Sequence, residues 1–201
     1  MRARDNPFAV QRLHAVPYCL SGSTWEELLE RLASLRFRAA LVGPHGRGKT
    51  TLLEELARRL AERDLRTRTV TLHEGDRRLS ATQREVLFRD LTSRDVLLLD
   101  GAEQLGCLAW LEVRTRSRSA GGLVITSHRP GLLPTLFECR TTPGLLAGIV
   151  VDLVGREEAD RLPSAEELLA RHGGNVRDAL RELYDLCADL TSSSSARTGS
   201  P

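Results

Sequence analysis

Lysine is almost missing from this sequence. Lys49 is the only one in 201 residues; every other basic side chain, histidine apart, is arginine. A position that keeps lysine against such a bias is one that needs a compact ammonium rather than a planar guanidinium. Cysteine is sparse too. Cys19, Cys107, Cys139 and Cys187 are scattered and form no CxxC pair, which excludes a zinc ribbon or a disulfide framework and predicts a reducing cytoplasm. No apolar run approaches membrane-spanning length, and the charged N-terminus has no apolar core of the kind a signal peptide needs. The net charge of +2 is too small to argue for nucleic acid by itself. No N-K-x-D motif follows any strand, which disfavours a GTPase. The apolar fraction of 41% is that of an ordinary globular chain, and the length suits one core domain with an appendage.

What is present is organised around residues 37–64, FRAALVGPHGRGKTTLLEELARRLAERD. An apolar run ends at Val42, a glycine-rich loop follows, and a helical pattern begins near Lys49. Gly43, Gly48, Lys49 and Thr50 occupy the fixed positions of G-x-x-x-x-G-K-[ST], the phosphate-binding loop. Its glycines let main-chain N–H groups turn inward toward an anion, and the positive end of the next helix adds to that field. Lys49 is placed to reach the terminal phosphates and Thr50 to ligate Mg²⁺. Leu52, Leu53, Leu56 and Leu60 share one helical face, while Glu54–Arg58 and Glu55–Arg59 are i,i+4 pairs outside it.

Elsewhere strands alternate with helices, which predicts an α/β P-loop fold with a parallel five-stranded sheet between helices. Ser23 and Glu26 form a capping box for a helix to about Leu35. Residues 67–73 read as a half-buried strand near an edge. Ser80 and Gln83 cap a further helix, to about Leu91. Residues 95–100, DVLLLD, read as a buried strand that ends in an acid. A helix carrying Leu108 and Leu111 follows, ending in Arg114, Arg116 and Arg118. Residues 122–127 are expected to be a fourth strand, 132–139 a short helical run and 148–153 a fifth strand. Ser164 and Glu167 cap a helix that stops at Gly173-Gly174, and Asn175 caps the second arm of a hairpin. The domain reading is a core over residues 1–155, with 1–36 as lead-in and helix, a small helical lid over 156–190, and a disordered serine-rich tail over 191–201.

Several residues qualify for chemistry. Asp100, at the end of its strand, suits the Mg²⁺ of bound phosphates. A base for the attacking water is expected after it, but the next residue is Gly101; Glu103 is the nearest acid, with Glu74 beyond strand two as rival. An acid at Glu103 also suits a helix start for ordinary dipole reasons. Thr126 and Ser127 end strand four at the sheet edge where ligands bind, and His128 reads as a loop histidine. Arg177 stands in the first turn of a helix, where a cation opposes the dipole, so an anion nearby is implied; Arg181 lies on the same face. Arg140 is a candidate finger for a neighbour's nucleotide, against the alternative of a solvated surface charge. The run Arg114 to Arg118 has no interleaved aromatics and suits a helix C-terminus without any ligand.

Together these residues resemble the AAA+ superfamily of P-loop ATPases, from about Asn6 to Leu190, with the closest likeness to small initiator-like and transposition-helper ATPases. GPHGRGKT matches Walker A, the strand ending at Asp100 matches Walker B, and Thr126 and Ser127 fall where sensor 1 lies. GGNVRDAL at residues 173–180 resembles the initiator-type lid motif, which puts Arg177 at sensor 2. Asn6-Pro7-Phe8 resembles a lead-in segment that often lies near the adenine. The resemblance implies ATP and Mg²⁺ as cofactors. It implies nucleotide contacts from Gly43, Pro44, His45, Gly46, Arg47, Gly48, Lys49, Thr50 and Thr51, with Thr126 and Arg177; metal ligation by Thr50 and Asp100; and catalysis through Glu103, Lys49, Asp100 and Arg140. Two departures stand out. Walker B reads Asp100-Gly101 instead of Asp-Glu, and the lid is one short hairpin with no winged-helix domain attached, so DNA binding is possible but is not implied. The expected function is an ATP-driven switch acting through a homo-oligomer or a partner protein, away from membranes. A non-hydrolysing nucleotide-binding module and a small-molecule kinase are the alternatives.

Overall fold

Asp95–Asp100 (β3) is buried along its whole length, as an unbroken apolar strand must be when both sheet faces are covered. It lies second in a five-stranded parallel sheet with Arg66–Thr71 (β2) at the edge, followed by β3, Gly122–Ser127 (β4), Arg38–Val42 (β1) and Thr135–Glu138 (β5). The computed structural model describes residues 6–9, 12, 20 and 22–195, with side chains to residue 188. Contacts divide the chain into two units, Leu20–Cys139, and Met1–Cys19 with Arg140–Pro201.

In the first unit the period-2 alternation of the strands sorts the sheet faces. Ala40, Val42, Leu97, Leu99, Leu123 and Ile125 face Leu87, Phe88 and Val113, which belong to the helices Ala81–Phe88 (α3) and Cys107–Arg116 (α4). The opposite register of β3 and β4 carries Val96, Leu98 and Asp100 beside Val124 and Thr126, and the helix Lys49–Ala61 (α2) contacts β1, β3 and β4. Trp25–Ser34 (α1) lies against β5, where Arg31 donates to the Thr135 carbonyl at 3.0 Å. Its cap is Thr24 with Glu27, not Ser23 with Glu26. Both pairs fit the capping pattern; the later start puts Leu28, Leu29 and Leu32 inside, and the Ser23 hydroxyl donates to Glu27 instead. The caps of α3 (Ser80, Gln83) and of Ala165–Arg171 (α7; Ser164, Glu167) fall where the sequence puts them.

The fifth strand is not residues 148–153. Those lie in the helix Pro143–Val154 (α5), started by Thr142, whose side chain accepts from the Leu145 N–H, with Pro143 in the first turn. A continuous apolar run has no period to separate strand from helix; here the Thr-Pro start decides. The strand is residues 135–138, expected to be helical. It follows Pro134 and buries Leu136, pairing with β1 across a bulge between Ala40 and Leu41.

The second unit is helical: α5, Arg156–Ala159 (α6), α7 and Val176–Ser195 (α8). The hairpin of α7 and α8 is too small to bury a core alone. Phe8 completes it, packing with Leu146, Val150, Leu168, Leu180 and Leu183. Asn6 fixes that segment: its amide donates to the Tyr184 carbonyl at 2.8 Å and its Oδ1 accepts from the Phe8 N–H. The last helix runs on to Ser195, so the first five residues of the stretch 191–201 are helical and the other six lie outside the described residues; extending a packed helix is cheap per residue compared with nucleating one. No helix among the described residues is long and apolar enough to cross a membrane.

Candidate functional site

The C-terminal ends of β1, β4 and β3 stand side by side, because β4 runs between the strand that leads into the glycine loop and the strand that ends in Asp100. This order brings together residues far apart in sequence. Gly43 leaves β1 with its N–H donating to the Ser127 carbonyl at 3.1 Å. A Cβ there would lie 2.6 Å from the Cys139 carbonyl oxygen, so the loop passes β5 at a distance only glycine permits. Pro44 and His45 are exposed; Gly46, Arg47 and Gly48 are half-buried, and α2 begins at Lys49.

Lys49 is buried rather than held out in solvent. It is 8% exposed, and its ammonium donates to the carbonyls of Gly43 at 2.7 Å and Pro44 at 2.8 Å. A buried cation must find acceptors, and the loop bends its own carbonyls over the ammonium. Thr50, one residue on, donates from Oγ1 to Asp100 Oδ2 at 2.9 Å. The other carboxylate oxygen, Oδ1, accepts from Thr126 Oγ1 at 2.5 Å, and Thr126 in turn accepts from the Gly101 N–H at 2.7 Å. Asp100 is thus held at both oxygens by hydroxyls from the loop helix and from β4. Thr51 is exposed. Ser127 turns away from the cluster and donates to the Arg129 carbonyl.

Glu103 lies on a single turn of 3-10 helix, Ala102–Gln104, directly beyond Asp100-Gly101. Its Oε1 is 3.2 Å from His128 Nε2, and its Oε2 is buried with no hydrogen-bond partner among the described residues. His128 also meets the loop: its ring lies edge-to-face on that of His45, centroids 6.0 Å apart. Sequence reasoning assigned His45 a nucleotide contact and His128 no role, and it did not pair the two. The one available signal was that His128 stands two residues past Thr126 on the same strand end. Glu74, the rival acid, is exposed in the turn after β2.

Arg177 and Arg140 belong to the helical unit. Arg177 is exposed in the first turn of α8, its N–H donating to the cap oxygen of Asn175 at 3.1 Å; its side chain forms no ion pair among the described residues. Arg140 is exposed and follows β5 rather than a helix. Among the described residues no group of three or more histidine, cysteine or acidic side chains converges as a metal site.

No protein-family model matches the chain, and no curated protein does. Solved structures do. The RuvB Holliday junction branch migration motor of Thermotoga maritima matches at 20% identity with a TM-score of 0.58, over 84% of this chain and 62% of that one. Two variant forms of the same motor match at TM-scores of 0.57 and 0.58, with 20% and 21% identity. They too are covered only in part, 62% and 63% of their length, against 84% of this chain. At such identities the likeness shows the fold, the P-loop NTPase fold of the RuvB motor.

Proposed function

We propose that this chain is an AAA+-type switch that binds ATP with Mg²⁺ and hydrolyses it, and that passes the change to further copies of itself or to a partner protein. The observation that carries the reading is the convergence of Lys49, Thr50, Asp100 and Thr126 at the ends of three adjacent strands. The donor set suits Mg²⁺, a hard cation that takes oxygen ligands. Thr50 Oγ1 and Asp100 Oδ2 lie 2.9 Å apart, the separation of about 2.9 Å that two adjacent octahedral ligands at about 2.0–2.1 Å have. Bound there, Mg²⁺ neutralises phosphate charge.

The residues of the chain do the rest. Main-chain N–H groups of residues 43–51 cradle the phosphates, and Lys49 exchanges its carbonyl acceptors for phosphate oxygens. Thr126 holds Asp100 in place. Glu103 takes a proton on Oε2 from water; the water oxygen bonds to the γ-phosphorus as the bond to the β-phosphate bridging oxygen breaks, leaving ADP and phosphate. Arg177 answers the γ-phosphate from the helical lid, where an anion reverses the dipole cost of its position. Arg140 serves a neighbouring subunit's nucleotide. The GGNVRDAL lid motif supports the initiator-like subtype, and four scattered cysteines with no CxxC pair suit a reducing cytoplasm.

Gly101 in place of an acid supports a second reading, a module that binds nucleotide without turnover. Size-exclusion chromatography with and without ATP, with phosphate release measured on the same sample, separates the two. The switch assembles with ATP and releases phosphate, and Glu103→Gln keeps binding while losing turnover by about 10²–10⁴-fold. Binding with no release from the wild type, alone or assembled, establishes the second reading.

A further inference from the structure

The usual place for a base, directly after Asp100, is closed to any side chain. Gly101 has φ +82°, and a Cβ on it would lie 2.9 Å from the Leu72 carbonyl oxygen. The chain turns instead, with Gln104 N–H donating to the Gly101 carbonyl and Leu105 N–H to that of Ala102. Buried Ala102 pins the turn, and Glu103 projects from it.

The two carboxylate oxygens of Glu103 are unequal. Oε1 is 3.2 Å from His128 Nε2, while Oε2 is buried and has no hydrogen-bond partner among the described residues. A buried carboxylate oxygen with no protein donor is costly, and an attacking water would supply the missing donor. His128 is placed by β4, two residues past the Thr126 that binds Asp100, and its ring is steadied by His45 of the phosphate loop. An imidazole carrying its proton on Nε2 donates to Oε1 whether or not the ring is charged.

We propose that His128 is the positioning residue for the base: it holds Glu103 Oε1 from a seat against the phosphate loop and so presents Oε2 to the attacking water. This rests on the reading of Glu103 as the base. His128 touches neither water nor phosphate in this arrangement; it acts by fixing the direction of the lone pair that takes the proton.

The test is steady-state ATP hydrolysis by the full chain with wild type, His128→Ala, His128→Gln, Glu103→Gln and the double variant His128→Ala/Glu103→Gln. His128→Ala should lower kcat about 10- to 100-fold, the scale of one hydrogen bond to a charged group, with KM for ATP unchanged. His128→Gln offers an amide N–H near the place of Nε2 and should restore most of the rate. The double variant should be no slower than Glu103→Gln alone, because His128 has no route to the reaction except through Glu103. His128 is 41% exposed, and melting curves should confirm that both single His128 variants stay folded. A wild type that turns over and a dead Glu103→Gln, with His128→Ala at full rate or with Ala and Gln equally impaired, overturns this proposal and leaves the base assignment standing. A wild type without turnover, or an active Glu103→Gln, overturns the base assignment and the proposal together.

Discussion

Thr50 Oγ1 and Thr126 Oγ1 donate to opposite oxygens of one carboxylate, that of Asp100, at 2.9 and 2.5 Å. One hydroxyl comes from the phosphate-loop helix and the other from the strand between β1 and β3, so the acid registers both. Removing the Thr50 hydroxyl in Thr50→Val takes away one oxygen of the proposed metal pair and leaves the Thr126 bond in place. ATP affinity, titrated with and without Mg²⁺, should lose its dependence on the metal. If Mg²⁺ strengthens ATP binding equally in Thr50→Val and wild type, the pair is not the metal site.

Lys49→Ala should do more than abolish ATP binding. The wild-type ammonium satisfies the carbonyls of Gly43 and Pro44, and its loss strands the buried Gly43 oxygen. An orphaned buried acceptor costs about 1–3 kcal/mol, so the variant should melt lower in the absence of any nucleotide. Thermal unfolding without ATP checks this; an unchanged midpoint would mean that water satisfies the loop as well as the lysine does.

The phosphate loop, the buried strand before Asp100 and the helix caps at Ser80 and Ser164 were legible because each is a local pattern with its own physical cause. Residues 148–153 were not, because an apolar run looks alike in strand and helix and the deciding Thr142-Pro143 start lies five residues upstream. Burial of Lys49 is set by where the loop turns its carbonyls, which no residue type announces. The Glu103–His128 contact joins positions on different elements and depends on β4 lying beside β3. The anchoring of Asn6 and Phe8 on the helical unit joins opposite ends of the chain, and no sequence period links them.

Away from the site, Asp95 opens β3 with its carboxylate buried. Burial pushes its pKa up, but hydrogen bonds from the Thr92 hydroxyl, the Arg68 guanidinium and the Thr92 N–H outweigh it and hold the pKa at about 2. A folded value below the unfolded one, about 3.9, means stability that is fully present above pH 4 and lost as pH falls through 2. Asp95→Asn should therefore destabilise the protein by about 1–3 kcal/mol at neutral pH, with the gap to wild type closing between about pH 4 and pH 2. Denaturant midpoints across that range test it; a gap that stays constant to pH 2 would show that the charge contributes nothing.

Placing an acid directly after Asp100 should fail here. Gly101→Glu forces a side chain onto a backbone at φ +82° and a Cβ to within 2.9 Å of the Leu72 oxygen. That oxygen cannot easily retreat, since the Leu72 N–H is tied to the Asp100 carbonyl at 2.8 Å and β2 is paired with β3 along its length. The strained conformation alone costs about 1–3 kcal/mol, and relief by moving the turn displaces Glu103 and disturbs the Gly101 N–H bond to Thr126. Gly101→Ala carries the same backbone penalty without the carboxylate. Both variants should lose stability to a similar degree, and both should hydrolyse ATP more slowly than wild type. If Gly101→Glu instead turns over as fast as wild type or faster, and still does so with Glu103→Gln added, the new acid works as a base and the turn at Gly101 is not what drove the function onto Glu103.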